Sequence, residues 1–144
     1  MNRNGDMSMR KAQFYIREGE VIRCRLCPHN CIIGEGNVGI CRQRKNRDGV
    51  LFAEGYGGIS SIALDPIEKK PLYHFYPGND ILSIGGIGCN LKCKFCQNWR
   101  IAHSTRPTSH IEPEHIVDKA LELGSFGIAY TYNEPLIGYE YVYD

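Results

Sequence analysis

Apolar and polar positions change period along the chain. Between residues 21 and 64 the apolar text comes in short pieces among glycines: Val21-Ile22-Arg23-Cys24, Gly39-Ile40-Cys41, Val50-Leu51-Phe52-Ala53 and Ile59 through Leu64. Each is too short for a helix and reads as a strand, and Asp48-Gly49 between two of them is a hairpin signal, because both residue types tolerate positive φ. Residues 1–20 are polar and predict a frayed or loosely helical lead-in. Pro66, Pro71 and Pro77 make 65–79 a connector.

From residue 80 a second pattern begins. Ile81-Leu82-Ser83-Ile84, bounded by Gly78-Asn79-Asp80 and Gly85-Gly86, predicts a strand buried on both faces. Residues 113–123 predict a helix: Pro113 suits its first position, Ile116, Val117, Ala120, Leu121 and Leu123 form an apolar stripe, and Gly124 is its stop. Gly127 through Tyr132 predicts the next strand. Strand, loop, helix, strand is a βαβ unit with a parallel sheet and a right-handed crossover. Loops that carry chemistry in such units leave the carboxyl ends of the strands, where Cys89 to Cys96 and Asn133-Glu134-Pro135 both fall.

Composition narrows the class. With 17 basic against 16 acidic residues, no charge excess points to nucleic acid or an anionic membrane. No apolar run reaches the 18 or so residues of a membrane span, and the polar start lacks a signal-peptide core, so a cytoplasmic protein is expected. The 144 residues are too few for a complete eight-unit βα barrel of about 250. The seven cysteines carry more information. An odd number in a chain without a secretory signal favours metal or redox chemistry over disulfides.

They form two groups. Cys24, Cys27, Cys31 and Cys41 have the spacing C-x2-C-x3-C-x9-C, four thiolates close enough for one closed metal site. Structural zinc and a second iron–sulfur cluster both satisfy it, and His29 is a candidate substitute ligand. Cys89, Cys93 and Cys96 have the spacing C-x3-C-x2-C with no later cysteine. Three thiolates can hold three irons of a [4Fe-4S] cluster and leave the fourth open to a small molecule. The competing assignment is a zinc site completed by His103 or His110.

This triad, with Phe95 before its last cysteine, resembles the hallmark loop of the radical S-adenosylmethionine (SAM) superfamily. The text from Pro66-Ile67-Glu68-Lys69-Lys70-Pro71-Leu72-Tyr73-His74-Phe75 to Gly88-Cys89-Asn90 and Cys96-Gln97-Asn98 is similar to one branch of it, the branch of pyruvate formate-lyase activating enzyme and of the AmmeMemoRadiSam system. The resemblance implies that Cys89, Cys93 and Cys96 ligate a [4Fe-4S] cluster, and that Phe95 lies beside the adenine of SAM. It also implies that Glu134, in Tyr132-Asn133-Glu134-Pro135, holds the SAM amino group where the family has Gly-Gly-Glu-Pro. Here Asn133 and Tyr132 replace the two glycines. The implied reaction is reductive cleavage of SAM to methionine and a 5′-deoxyadenosyl radical, with an electron donor such as flavodoxin or ferredoxin and, in activase-like members, a protein substrate.

The expected architecture is α/β: a lead-in (1–20), a β-rich cysteine-stapled subdomain with its connector (21–79), and the start of a partial (β/α) barrel (80–144). Residues 80–144 hold roughly two βα units at about 30 residues each, so the resemblance implies an amino-terminal fragment. The alternative from another class is a non-catalytic zinc-binding module for protein–protein contact.

Overall fold

The computed structural model describes residues 9–103 and 108–144. Residues 1–8 of the expected lead-in, and 104–107 before the main helix, lie outside the described residues.

The first half is built from β1 (Tyr15–Glu18), β2 (Val21–Cys24), β3 (Ile32–Ile33), β4 (Arg44–Arg47) and β5 (Val50–Ala53). β1, β2 and β3 form one antiparallel sheet and β4 pairs with β5 in a hairpin. The hairpin turns at Asp48 (φ 53°) and Gly49 (φ 72°), the paired positive angles that a two-residue primed turn needs. Ala12, Ile22, Cys24, Ile33, Leu51 and Ala53 fill the core between the two sheets.

Two expectations change here. The lead-in is neither frayed nor helical from residue 10 onward. Gly19 (φ 64°) closes a tight turn that folds β1 back on β2, and the Ala12 N–H donates to the Leu51 carbonyl at 2.8 Å. Gly39-Ile40-Cys41 is a turn rather than a strand. Arg42 takes φ 63° and donates its N–H to the Gly39 carbonyl at 2.8 Å, which bends Cys41 inward to a buried position.

The second half comprises β6 (Gly58–Ile59), β7 (Ser61–Pro66), β8 (Asp80–Gly85), α1 (Trp99–His103), β9 (Ser109–His110), α2 (Pro113–Glu122), β10 (Ile128–Tyr130) and α3 (Tyr139–Tyr143), with 3-10 turns at Ile67–Lys69 and Pro135–Gly138. The expected strand over 59–64 is broken at Ser60, whose hydroxyl donates to the Gly85 and Gly86 carbonyls. β8 and β10 run parallel, as the βαβ reading requires. β7, expected in part as connector, adds antiparallel to the other edge, giving the order β10-β8-β7.

α2 begins with Pro113 and ends in a Schellman motif. Gly124 (φ 60°) donates to the Leu121 carbonyl and Ser125 to the Ala120 carbonyl. Ile116 and Ala120 pack on Leu82 and Ile84 of β8, with Ile59 and Tyr141 completing the cluster. The stripe is narrower than its spacing suggests, because Val117, Leu121 and Leu123 remain exposed.

A buried ion pair bolts the halves together. Arg44 of β4 and Glu140 of α3 are both buried and make a bidentate pair, Nη1–Oε1 and Nη2–Oε2 each 2.8 Å. Glu140 Oε1 also accepts the Gln13 N–H at 2.6 Å. A lone buried charge is far costlier than a paired one, so neither partner is dispensable.

Candidate radical SAM site

The triad loop leaves the carboxyl end of β8. Gly88, at φ 90°, makes the exit possible in two ways. Its backbone angle suits glycine, and a Cβ there would come within 2.5 Å of the Cys41 carbonyl oxygen and 2.6 Å of Gln43 Cγ. Beyond it, Cys89, Cys93 and Cys96 are all half-buried. The Leu91 N–H points at Cys89 Sγ at 3.4 Å, and the Cys96 N–H donates to the Cys93 carbonyl at 3.2 Å. Phe95 projects outward, 90% exposed.

The turn after β10 closes on this loop. Asn133 Nδ2 donates to the Gly88 carbonyl at 2.8 Å, so Asn133 braces the cysteine loop. Glu134 caps the following 3-10 turn, its Oε1 accepting the Leu136 N–H at 3.1 Å. Asn133 and Glu134 also line an apolar pocket with Gly85, Gly86, Tyr130 and Tyr141, and the three cysteines lie outside its walls.

The first cysteine group sits directly behind. Cys24 and Cys41 are buried, Cys27 and Cys31 half-buried. Cys24 ends β2, the Cys24 N–H donates to the Cys31 carbonyl at 2.9 Å, and a Cβ on Gly39 would lie 3.7 Å from Cys31 Sγ. Burial pushes the Cys24 and Cys41 thiols up, opposed by hydrogen bonds from the backbone of Leu26 and Gln43 and by the Arg44 guanidinium; neighbouring thiols of the group raise them further. A backbone donor two residues downstream thus meets the sulfur of Cys24, Cys41 and Cys89 alike.

His29, between Cys27 and Cys31, places Nε2 2.8 Å from the Asn90 carbonyl of the triad loop. The two cysteine groups are therefore neighbours in space although 47 residues separate them in sequence.

Among the described residues, no three His, Cys, Asp or Glu side chains converge closely enough for a single metal ion. The thiolates of a [4Fe-4S] cluster bind separate irons and need no such convergence. Of the histidines offered as zinc ligands, His110 places Nε2 2.8 Å from Glu112 Oε1, and the His103 ring lies 4.2 Å from that of Trp99. The donor set of three accessible thiols on one loop, with an N–H aimed at the first, fits a cluster.

Sequence reasoning missed several of these contacts. The Arg44–Glu140 pair, the Asn133–Gly88 brace and the His29–Asn90 contact all join residues far apart in the chain. The one available signal was Gly88 itself, since a glycine immediately before a ligand cysteine marks a close backbone approach.

Residues 83–144 match the Radical SAM superfamily model, a family that works with a [4Fe-4S] cluster and SAM. The match begins in β8 and covers both the cysteine loop and the Glu134 turn. The chain is also 47% identical over 140 residues to an uncharacterized protein of Methanocaldococcus jannaschii, a match covering 94% of this chain and 42% of that protein. It thus spans about two fifths of the length of that curated relative. No solved structure matches the chain. No described helix is long and apolar enough to cross a membrane.

Proposed function

We propose that this chain forms the cluster-binding portion of a cytoplasmic radical SAM enzyme, built as the opening of a partial (β/α) barrel behind a cysteine-stapled subdomain. The observation that carries the reading is the junction of the two strand-end loops through the Asn133–Gly88 hydrogen bond. It brings the cysteine loop and the glutamate turn onto one rim.

Cys89, Cys93 and Cys96 would hold the [4Fe-4S] cluster, with Phe95 free to cover the adenine of SAM. The Glu134 carboxylate would orient the SAM amino group, exchanging its contact with the Leu136 N–H for the ligand. A bound, reduced cluster would supply the electron for reductive cleavage of SAM. The chain's own residues bind and orient; none needs to act as acid or base. The branch resemblance favours an activase-like enzyme that receives electrons from a flavodoxin or ferredoxin and acts on a protein substrate. The coverage of its relative favours a fragment of a longer enzyme.

Cys24, Cys27, Cys31 and Cys41 would form a second, closed centre holding structural zinc or a second iron–sulfur cluster, since four thiolates saturate either one. A metal count distinguishes the two.

The test is anaerobic. The reconstituted, reduced protein should show an electron paramagnetic resonance signal that SAM perturbs, and should release 5′-deoxyadenosine, both lost in Cys93→Ala. A signal indifferent to SAM in every preparation would contradict the assignment.

A further inference from the structure

The face of the sheet opposite α2 carries a charged cluster that the cysteine chemistry does not use. Leu82 and Ile84 face α2, so Ile81, Ser83 and Gly85 line the other side of β8. The register pairs Asp65 with Ile81, Ala63 with Ser83 and Ser61 with Gly85, which puts Asp65 on that same side. Closed βα barrels fill this side with bulky branched residues. Here Ile81 is the one such residue of β8 on it, beside Ser83, Gly85, Ser61, Ala63 and Asp65.

Asp65 is only 6% exposed, and both its oxygens accept hydrogen bonds. Oδ1 accepts from Lys69 Nζ at 2.8 Å, while Oδ2 accepts from Lys70 Nζ at 2.9 Å and from the Tyr132 hydroxyl at 3.1 Å. Those donors hold its carboxyl far below the ordinary carboxylate range. The ammonium groups are not saturated in return. Each gives Asp65 one of its three N–H bonds. The Lys70 side chain is 15% exposed, leaving it little water, and its Nζ sits 5.6 Å from the Tyr132 ring centroid. Lys69, 64% exposed, opens the cluster to solvent.

Tyr132 is held there at a cost. Its φ is 72°, an angle a bulky residue rarely adopts. Its ring lies where a side chain on Gly85 would go, since a Cβ at that position would come within 2.8 Å of Tyr132 Cδ2. Tyr132 also immediately precedes Asn133 and Glu134, so the cluster lies next to the proposed SAM turn.

We propose that Lys69 and Lys70, with Tyr132 packed against them, form a binding site for a carboxylate group, and that this group belongs to the substrate, an identification resting on the radical SAM reading above. Two ammonium groups against one carboxylate leave a single excess positive charge. A monoanion neutralises it, whereas a phosphate dianion would place surplus negative charge beside Asp65. Strand-edge salt bridging alone would need one lysine for one aspartate; the second lysine and the forced tyrosine are what the site adds.

The test uses the full 144-residue chain and acetate as probe, with thermal unfolding followed at constant ionic strength against chloride. Acetate and phosphate stabilise proteins generally, so the readout is the difference between the parent chain and Lys69→Gln or Lys70→Gln. Acetate should raise the melting temperature saturably in the parent, and its apparent affinity should fall at least fivefold in either variant. Lys69→Gln, at an exposed position, keeps the test valid if Lys70→Gln does not fold. Equal acetate responses in the parent and Lys69→Gln would overturn the site. Tighter binding of inorganic phosphate than of acetate, lost in the same variants, would overturn its assignment to a carboxylate. The readout requires no cluster and no SAM, so its failure leaves the radical reading standing. Failure to bind iron would instead remove the identification of the ligand as substrate.

Discussion

The two cysteine groups differ in what the fold demands of them. Cys24 and Cys41 are buried, and Cys24 belongs to the apolar core of the first half, packed with Ile22, Ile33 and Leu51. Cys89, Cys93 and Cys96 ride on a loop beyond the end of β8, half-buried, with Phe95 standing clear of the protein. One group is part of the structure that positions; the other is what is positioned. The lesson is that a closed site can double as core, while a site that must admit a ligand has to sit outside the core and be held from behind by glycine, histidine and asparagine contacts.

That contrast can be broken by experiment. The largest effect is expected from Cys41→Ser. If the first group holds metal, removing a ligand forfeits a share of binding free energy on the order of 10 kcal/mol, and the first half should lose cooperative unfolding in thermal or denaturant melts. A Cys41→Ser chain that melts like its parent would show that the first group is not structural.

Next in size is Glu140→Gln, which leaves the buried Arg44 guanidinium uncompensated and should cost about 3–5 kcal/mol in denaturant unfolding. Gly88→Ala should follow, with ~1–3 kcal/mol of backbone strain before any clash with Cys41 is counted. Its effect should be local. Iron retention at the triad should drop while zinc or iron at the first group stays, which sharpens the division between the two.

The smallest effect concerns pH. Asp65 has its carboxyl lowered in the folded state, chiefly by Lys69, so the stability it contributes is present at neutral pH and is lost as pH falls below about 4, the range where the unfolded chain takes up the proton. Asp65→Asn should flatten that part of the acid limb in melts recorded between pH 5 and pH 3. An unchanged slope would detach Asp65 from its lysine partners.

Local chemistry made much of this legible in the sequence. Asp48-Gly49 encoded its hairpin, and Pro113 with Gly124 bracketed α2, because each acts through its own backbone angles. The cysteine spacing likewise announced two groups. What stayed hidden depended on distant partners. β1 was unreadable because its stability comes from pairing with β2 rather than from an apolar period of its own. Lys69 and Lys70 have no periodic signal of their own; their placement depends on β7 and β8 aligning Asp65 beneath them and on Tyr132 closing over it. The nearness of the two cysteine groups rests on His29 and Gly88, single residues whose partners lie across the fold.

The most direct measurement is iron content after anaerobic reconstitution, compared between the parent chain and Cys93→Ala. The triad account predicts a brown parent that carries about four more irons per chain than the variant, the content of one [4Fe-4S] cluster. A colourless parent that binds zinc and no iron, indistinguishable from Cys93→Ala, would contradict it.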